Sequence, residues 1–419
     1  MTVITHRRQR WIVRGSPDDR SALRRTATLT AVVGALVACG CSQHSAGTST
    51  PQSHGARTTV VRFRSPVSYT GGRDPEALAI ADLNGDGHPD VVTANSFGND
   101  VSVFLGNGDG KLRHAHESPV GKAPATVAIA DLNGDGKLDI ATTNGGLAEG
   151  QGEAILGSND ISILLGLGDG TFAKRVNYPA GPIPMGLVIA DVNGDGSPDL
   201  LTVDRHQSQL ALLRGKGDGT FRPYTRIPIK GLTLSRRLTP ADLNGDGVVD
   251  LIVPDESAGS VFVLTGTGHG TFGPKSYPEN GIEPVAVTVA DLNGDGKPDL
   301  AVANGYPAHD TSVMLARGRG LGPAHAYPTG FAPHSIVATD LNGDSIPDLA
   351  VGNVGDSTVS ILLGRGDGTF GRKLDLPTGS TATNNTIAVA DMNGDGRPDL
   401  VTANFKPSSL VTVLLQSVG

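Results

Sequence analysis

The sequence has 419 residues, and its 34 Lys and Arg against 42 Asp and Glu give a formal charge of −8 at neutral pH. Its 58 Gly and 27 Pro follow no three-residue period, which excludes a collagen-like chain. The acidic balance and the lack of a Lys or Arg block in the body of the chain argue against nucleic acid or a polybasic membrane surface. Cys39 and Cys41 are the only cysteines, so the body of the chain has no disulfide and no Cys-ligated metal.

The N-terminal residues have the composition of an export signal. The first forty residues contain seven arginines and two acids, and an apolar run extends from Ala27 to Ala38. This run is too short to cross a bilayer as a helix, so residues 1–38 are predicted to be a signal peptide. The segment ending at Cys39 (LVAC) resembles the bacterial lipobox, which predicts lipidation of Cys39, with ordinary secretion as the alternative. Residues 39–58, rich in Ser, Thr and Gly, are predicted to be a flexible tether.

A nine-residue segment, Asp-x-Asn-Gly-Asp-x-x-x-Asp, recurs along the rest of the chain. The seven copies start at Asp82, Asp131, Asp191, Asp242, Asp291, Asp340 and Asp391. Each copy lies among short apolar, strand-like runs separated by tight turns, four runs to a repeat. Because the copies lie 49 to 60 residues apart, they predict an all-β propeller or another repeat array.

The two ends of the array favour a closed ring. After the seventh loop the chain has only two more strand-like runs, so the last repeat lacks its fourth strand. At the other end, Phe63 is followed at +6 by Tyr69 and at +9 by Gly72, the spacing found after the turn of the second repeat. We therefore predict a seven-bladed propeller over residues 59–419, with an N-terminal strand completing the last blade. The alternative, a β-solenoid, would not need a strand from the N-terminal end to complete its last repeat.

The repeated loop has the residue types of a calcium site. Positions one, three, five and nine carry carboxylate or amide oxygens, and position seven offers a backbone carbonyl. Zinc would prefer His or Cys, and an Asx-rich turn that caps strands is the alternative without metal. In the sixth loop Ser345 replaces the glycine of position six, so it must adopt a backbone angle that suits glycine. The predicted ligands of up to seven structural Ca²⁺ ions are Asp82, Asn84, Asp86, Asp90, Asp131, Asn133, Asp135, Asp139, Asp191, Asn193, Asp195, Asp199, Asp242, Asn244, Asp246, Asp250, Asp291, Asn293, Asp295, Asp299, Asp340, Asn342, Asp344, Asp348, Asp391, Asn393, Asp395 and Asp399.

A second pattern, Leu-Leu-Gly-x-Gly-Asp-Gly-Thr-Phe, follows several loops and is clear around residues 364–370. Together the two patterns resemble the FG-GAP or VCBS repeat family, the propeller type of the integrin alpha head, over about residues 60–419. The resemblance implies calcium at positions one, three, five and nine. It does not select a function, since members resemble adhesins, lectins, scaffold segments and the propeller parts of some polysaccharide lyases. The second pattern is degenerate at His269 and at Arg317 to Leu321.

The acidic loops should share one face of the ring with the turns between third and fourth strands. The loops between second and third strands lie on the opposite face, where they are free to vary and to recruit a ligand. The candidate ligand-binding residues in these loops are Phe97, Arg205, His206, Tyr306, His309 and Phe405. Ordinary solvated loops are the alternative. The insertion from Gly145 to Asn159 is either a binding element or tolerated slack.

Signals of catalysis are sparse. The sequence has no Gly-x-Ser-x-Gly elbow, no His-Glu-x-x-His helix and no phosphate-binding loop. We therefore expect an exported, monomeric, non-catalytic module that binds or adheres to a glycan or a protein, and that meets a membrane only through a lipid anchor. The alternatives are a carbohydrate-active enzyme, with His206, Arg236, Tyr306 and His334 as candidates, or a scaffold without a small ligand. A convergent polar cluster in the central channel or on the face opposite the acidic loops would favour the enzyme, and a shallow loop face with exposed aromatic residues would favour binding.

Overall fold

The computed structural model describes residues 61–113, 116–150, 153–205, 207–278, 283–318, 320–379, 384–404 and 409–417. None of these residues lies in a helix, and so none of them belongs to a helix able to span a membrane. The predicted signal peptide, the tether with Cys39, and the candidate residues His206 and Phe405 lie outside the described residues.

The described residues form seven four-stranded antiparallel sheets, which are the blades of a propeller, as predicted. The first strands of blades 1 to 7 are Pro75–Ala81, Thr126–Ala130, Pro184–Ala190, Thr239–Ala241, Pro284–Ala290, Pro333–Thr339 and Asn384–Ala390. The second strands are Asp90–Asn95, Asp139–Thr143, Asp199–Asp204, Asp250–Asp255, Asp299–Asn304, Asp348–Asn353 and Asp399–Asn404. The third strands are Asp100–Phe104, Asp160–Leu164, Gln209–Leu213, Ser260–Gly266, Asp310–Met314, Thr358–Leu362 and Leu410–Leu414. The fourth strands are His116–Pro119, Val176–Pro179, Thr225–Pro228, Phe272–Pro278, His325–Pro328, Leu374–Pro377 and, for blade 7, Val67–Thr70.

The first three strands of a blade are mostly buried, and the fourth is mostly exposed. In blade 1 the second strand is buried throughout, whereas His116–Pro119, the fourth strand, is mostly exposed. The first strands of neighbouring blades contact one another at every junction except that between blades 3 and 4, which places them next to the axis of the ring. The inner strands therefore read as nearly continuous apolar runs, because both of their faces are covered.

The core consists of apolar clusters between neighbouring blades. One cluster joins Leu78 and Phe104 of blade 1 to Val401 of blade 7. Aromatic residues of the turns pack against the preceding blade: the rings of Tyr178 and Phe221, in blades 2 and 3, meet edge to face at 5.4 Å between centroids. Such pairs stabilise the interface beyond their buried area.

The N-terminal segment closes the ring, as its spacing predicted. Val67–Thr70 pairs antiparallel with Leu410–Leu414, and Ser68 Oγ lies 2.9 Å from Thr412 Oγ1. A second short pairing joins Arg62–Phe63 to Gln416–Ser417. The last blade thus takes three strands from the C-terminal part of the chain and one from the N-terminal part, which leaves no unpaired edge between the two ends.

The acidic loops and the turns between third and fourth strands lie on one face, here called the acidic-loop face. In blade 1 the buried carboxylate of Asp90 accepts the Leu83 N–H at 2.9 Å and the Gly106 N–H at 2.8 Å. The aspartate at position nine makes two such bonds in every blade. It therefore ties the loop to the end of the third strand.

The other face, here called the opposite face, carries connections that link one blade to the next. The Asn99 side chain of blade 1 accepts the Ala123 N–H at 2.8 Å, and the Asn159 side chain accepts the Ile183 N–H at 3.0 Å. The insertion of blade 2 forms a hairpin on this face, from Leu147–Gly150 and Glu153–Leu156. A third two-stranded pair, Ala316–Arg317 with Gly320–Leu321, forms the turn of blade 5 on the acidic-loop face.

Blade 4 departs from the others near the axis. Its first strand has only three residues, against seven in blade 1, and residues 229–238 lead into it without strand pairing. Asp255 holds this segment by accepting the N–H of Thr233 at 2.7 Å and its hydroxyl at 2.6 Å. A Cβ on Gly186 of blade 3 would lie 2.8 Å from the Arg237 Cα, so only glycine allows this close approach.

Candidate functional site

The first aspartate of each acidic loop organises the backbone of that loop. In the first loop Asp82 Oδ1 accepts the N–H of Gly85 at 2.8 Å and of Asp86 at 3.2 Å, and Oδ2 accepts that of Gly87 at 2.8 Å. Gly85 and Gly87 have φ of 73° and 83°, the left-handed region in which glycine carries no steric cost. The chain therefore curls around its own first carboxylate.

The aspartate at position nine is buried and lies close to the other two carboxylates. Burial raises the pKa of Asp90 to about 6; the N–H groups of Gly106 and Leu83 oppose this rise, and Asp86 and Asp82 add to it by repulsion. For the corresponding residues, burial raises the pKa to about 6 in three further loops and to about 7 in the sixth: Asp139, Asp199, Asp399 and Asp348. Each loop thus concentrates negative charge that a cation would neutralise.

The donor set of the loops fits a hard divalent cation. Among the described residues, no three His, Cys, Asp or Glu side chains are grouped so that they could hold a metal ion as they stand. The loop carboxylates instead accept backbone N–H groups, as when Asp86 Oδ1 accepts the His88 N–H at 2.9 Å. Position three is Asn and position seven offers a carbonyl, so the predicted ligands are all oxygens, which Ca²⁺ prefers. The side chains at positions one, three, five and nine would hold the ion, and calcium stays a prediction.

The sixth loop keeps the common geometry despite its serine. Ser345 has φ of 66°, in the left-handed region, and its N–H donates to Asp340 Oδ2 at 2.7 Å. The equivalent Gly87 donates to Asp82 in the same way. Ser345 therefore adopts the backbone conformation of the glycine that it replaces, as the sequence predicted, at a steric cost.

Two of the predicted ligand-binding residues lie together on the opposite face. The ring of Tyr306, which is 65% exposed, meets that of Phe331 edge to face at 5.5 Å, and the His309 ring stacks on Phe331 at 4.6 Å. A Cβ on Gly355 would come within 2.2 Å of the Phe331 ring, so this glycine leaves the room that the ring occupies. We call Tyr306, His309 and Phe331 the aromatic cluster. The sequence analysis missed Phe331 because it lies between blades 5 and 6, not in a loop between second and third strands.

Phe97 and Arg205, two other predicted ligand-binding residues, lie elsewhere. The Arg73 guanidinium covers the Phe97 ring at 4.3 Å from its centroid, a cation–π contact that occupies one face of the ring. Arg205 is partly buried and belongs to a group of charged side chains near the axis.

This group, here called the axial cluster, is formed by residues from blades 1, 3, 4 and 6. Arg236 Nε lies 3.2 Å from Glu256 Oε2, and Arg237 Nη2 lies 3.2 Å from His334 Nδ1. Since Arg237 and His334 belong to blades 4 and 6, which are not neighbours, their contact places the cluster at the axis. Its members are Glu76, Arg205, Arg236, Arg237, Glu256 and His334. Arg236 and His334, two candidates for an enzyme, are thus brought together, whereas Tyr306 lies in the aromatic cluster.

The axial cluster contains more guanidinium than buried carboxylate. Burial raises the pKa of Glu256, and Arg236, Arg205 and Arg237 oppose the rise. Burial and the nearby Arg236 lower the pKa of Arg205. The Nε atoms of Arg205 and Arg236 and the Oε1 atom of Glu256 are buried without a hydrogen-bond partner among the described residues. These atoms are costly to bury unpaired.

The sequence contains a signal for this cluster. In five blades an Asn at the end of the second strand, or directly after it in blade 2, binds the third strand, as when Asn95 Nδ2 donates to Asp100 Oδ1 at 2.6 Å. The other four are Asn144, Asn304, Asn353 and Asn404. Blades 3 and 4 have Asp204 and Asp255 at this position, each followed by a charged residue of the cluster. Aligning the repeats position by position would have shown this departure.

A family model described as "FG-GAP-like repeat" matches residues 82–142, 154–202, 191–253, 242–302 and 340–402, which is more than half of the chain. Among proteins with curated functions, none matches this sequence.

Similar solved structures include a lectin of Agrocybe aegerita in a study of its specific recognition of non-reducing terminal N-acetylglucosamine. It has 20% identity and a TM-score of 0.51, over 79% of this chain and 86% of that one. Two crystal structures of BBS1N in complex with ARL6DN are also similar to this chain. The crystal soaked with lead has 12% identity and a TM-score of 0.54, over 85% of this chain and 97% of the other. The structure from the crystal soaked with mercury has 11% identity and a TM-score of 0.55, over 84% of this chain and 96% of the other. At these identities the likeness shows the fold alone.

Proposed function

The chain belongs to the FG-GAP-like repeat family, and from this premise we propose that it is a calcium-stabilised, non-catalytic module that binds a glycan on its opposite face. The family and the propeller fold are compatible with a binding module. The ligand, the metal and the setting are our proposal.

The aromatic cluster carries this proposal. Tyr306 is 65% exposed, although it is a large ring that could be buried, and its neighbour Phe331 is held by packing. The apolar C–H face of a sugar ring gains burial and dispersion energy when it packs on such a ring. His309 adds ring nitrogens that can bond to sugar hydroxyls. A glycan therefore suits this surface better than a flat protein partner would.

The calcium part of the proposal rests on the acidic loops. Each loop contains three carboxylates, and the pKa of the aspartate at position nine is raised, first by burial and then by repulsion from the other two, so its charged form is unfavourable in the absence of a cation. The cation would hold the acidic-loop face rigid and leave the opposite face to bind the ligand. We also propose that the protein is exported, anchored by a lipid on Cys39 or secreted, because of its N-terminal composition.

The lectin of Agrocybe aegerita gives additional support, since a propeller of similar fold is reported to recognise a terminal N-acetylglucosamine. Its 20% identity supports the proposal only at the level of fold. We therefore propose the class of ligand, a glycan, and not that particular sugar.

The proposal can be tested by measuring the binding of the full chain to a panel of immobilised glycans. We expect binding to one group of glycans, lost or weakened about tenfold or more in Tyr306→Ala, because a stacking ring is removed. The control is Leu167→Ala, which removes a side chain that is 52% exposed on the acidic-loop face. Absence of binding to any glycan, or equal binding by Tyr306→Ala, would contradict the proposal.

One observation favours a second candidate function. The axial cluster is a convergent polar group at the axis, and it contains His334 and Arg237 in contact. A carbohydrate-active enzyme would use such groups for proton transfer and charge stabilisation. Release of new reducing ends or of an unsaturated sugar from a bound glycan, lost in His334→Ala, would favour the enzyme over the binding module.

A further inference from the structure

The axial cluster suggests which glycans the opposite face selects. We propose that it recognises the carboxylate of a uronic acid, so that the ligand is an acidic glycan. This inference rests on the proposed function, because it names the chemistry of the same ligand.

The first argument is the charge balance of the cluster. Three guanidiniums, those of Arg205, Arg236 and Arg237, face two carboxylates, those of Glu256 and Glu76. The next carboxylate, Glu283, is exposed, so solvent screens its effect. A ligand carboxylate would balance the remaining positive charge.

The second argument is the depth at which these groups lie. The Glu256 side chain is only 10% exposed, whereas the Arg236 side chain is 38% exposed. Glu256 thus lies deeper than Arg236. A ligand that approaches the opposite face would meet the arginines first. The planar guanidinium fork matches the geometry of a carboxylate better than that of a neutral hydroxyl.

The third argument is the unmet bonding capacity of the arginines. Arg205 has a buried Nε without a hydrogen-bond partner among the described residues. Arg236 Nε is already ion-paired with Glu256 Oε2 at 3.2 Å, so the unmet group on the arginines is Arg205 Nε. Groups buried in this way are costly unless a partner completes them, and a carboxylate offers two acceptor oxygens.

The fourth argument is the position of the cluster beside the proposed sugar-stacking surface. Phe331 of the aromatic cluster and His334 of the axial cluster are three residues apart, so their Cα atoms are separated by at most about 11 Å. His334 in turn contacts Arg237 at 3.2 Å. A short oligosaccharide spans this distance, with one ring on the aromatic cluster and the carboxylate of a neighbouring ring on the arginines. This continuity favours an acidic glycan over an acidic peptide.

Calorimetric titration of the full chain with matched ligands tests the inference. The probes are trisaccharides of galacturonic, glucuronic and mannuronic acid, each compared with its methyl ester, which keeps the rings and removes the charge. We expect at least one acid to bind about tenfold or more tightly than its ester, as a charge-assisted pair would give.

Variants then locate the interaction. We expect Arg236→Gln and Arg205→Gln to remove the preference for the acid over the ester. Arg226→Gln, a change of an exposed arginine on the outer strand of blade 3, is the matched control and should keep the preference. Tyr306→Ala should lower the affinity for the acid and for its ester by the same factor. Circular dichroism and thermal unfolding show whether each variant is folded.

Equal affinity for every acid and its ester would overturn the inference, even if an arginine variant fails to fold, because this comparison uses the unaltered protein. Folded Arg236→Gln and Arg205→Gln that keep the preference would also overturn it, as would binding of an acidic peptide without binding of any uronate. If neutral glycans bind through Tyr306 without preference for acids, the inference fails and the proposed function stands. If no glycan binds, both fail.

Discussion

Single residues in the acidic loops govern how the metal-free protein should behave. The aspartate at position nine is 0% exposed in most loops, and its charge is unfavourable there because of burial and of two neighbouring carboxylates. The loop tolerates it by donating two backbone N–H groups to each such carboxylate. Stability without metal therefore depends on the protonation of these residues.

The metal-free protein should become more stable as the pH falls. The pKa of Asp90, Asp139, Asp199 and Asp399 is raised to about 6, and that of Asp348 to about 7, from an ordinary value of 3.8. A raised pKa contributes stability that is complete below the unfolded value of 3.8 and is lost as the pH rises through the folded value. In the presence of a chelator, we expect the melting temperature to rise as the pH is lowered from about 7.5 to about 5.5.

The same titration with saturating calcium should give the opposite trend, because protons compete with the ion for the carboxylates. Thermal unfolding across this range, with and without calcium, measures both trends. A metal-free melting temperature that falls as the pH is lowered from about 7.5 to about 5.5 would contradict this expectation.

Ser345 offers a second test at this scale. Its φ of 66° is strained for serine, so we expect Ser345→Gly to raise the free energy of unfolding. The expected gain is about 0.5–1 kcal/mol, after allowance for the extra freedom of glycine in the unfolded chain. Denaturant unfolding at fixed calcium concentration measures it. The matched control is Gly396→Ser, at the same position of the seventh loop, which should destabilise by a similar amount; no change in either variant would refute the strain.

Between structural elements, the turn of blade 5 leaves a gap. In every blade except blades 1 and 5 this position of the turn is a Phe, and in blade 3 Phe221 packs on Tyr178 of the preceding blade. Blade 5 has Leu321 instead, and a cavity of about 500 Å³ lies between blades 4 and 5, lined by Leu321, Leu243 and Val263 among others. The cavity lies where the Phe ring of other turns would pack, because blade 5 has the smaller Leu321 at this position.

Leu321→Phe should therefore stabilise the propeller by about 1 kcal/mol, since it fills space and buries more apolar surface. The control is Leu112→Phe, at the equivalent position of blade 1, where the leucine is only 6% exposed within the core cluster. Overpacking there should leave stability unchanged or lower it by about 1–3 kcal/mol. Denaturant midpoints give both values, and an equal response of the two variants would show that the cavity does not accept a ring.

At the scale of the whole molecule, calcium is expected to be a large part of the stability. At ten times its dissociation constant, one bound ion adds about 1.4 kcal/mol, so seven independent loops would add about 10 kcal/mol as an upper limit. We expect a higher melting temperature with calcium than with magnesium or chelator, and close to seven ions per chain by elemental analysis. Little bound metal together with an unchanged melting temperature would reduce the loops to ordinary turns.

Much of the fold was predictable from the sequence because it is periodic. The seven acidic loops gave the number of blades, and the spacing of Phe63, Tyr69 and Gly72 gave the exchanged strand that pairs with Leu410–Leu414. Such features depend on residues that are near each other in the chain or that recur at fixed intervals.

The candidate site was only partly predictable. Tyr306 and His309 were identified from their loop, but Phe331, which joins them, comes from a different connection. The axial cluster depends on contacts between blades that are distant in sequence, such as that of Arg237 with His334. It also depends on the short first strand of blade 4, a local irregularity that no repeat pattern contains.

The strand exchange that closes the ring also sets an order of assembly. Ser68 and Thr412, which face each other in blade 7, are 344 residues apart in the chain. During synthesis Val67–Thr70 emerges before any other strand of a blade, yet its partner Leu410–Leu414 emerges after all the other blade strands. Blades 1 to 6 can form in sequence, while blade 7 must wait until Leu410–Leu414 has been made. Until then the molecule is an open arc whose terminal edges are available for pairing with other chains, so the pairing of Leu410–Leu414 with Val67–Thr70 is the step that completes and protects the fold.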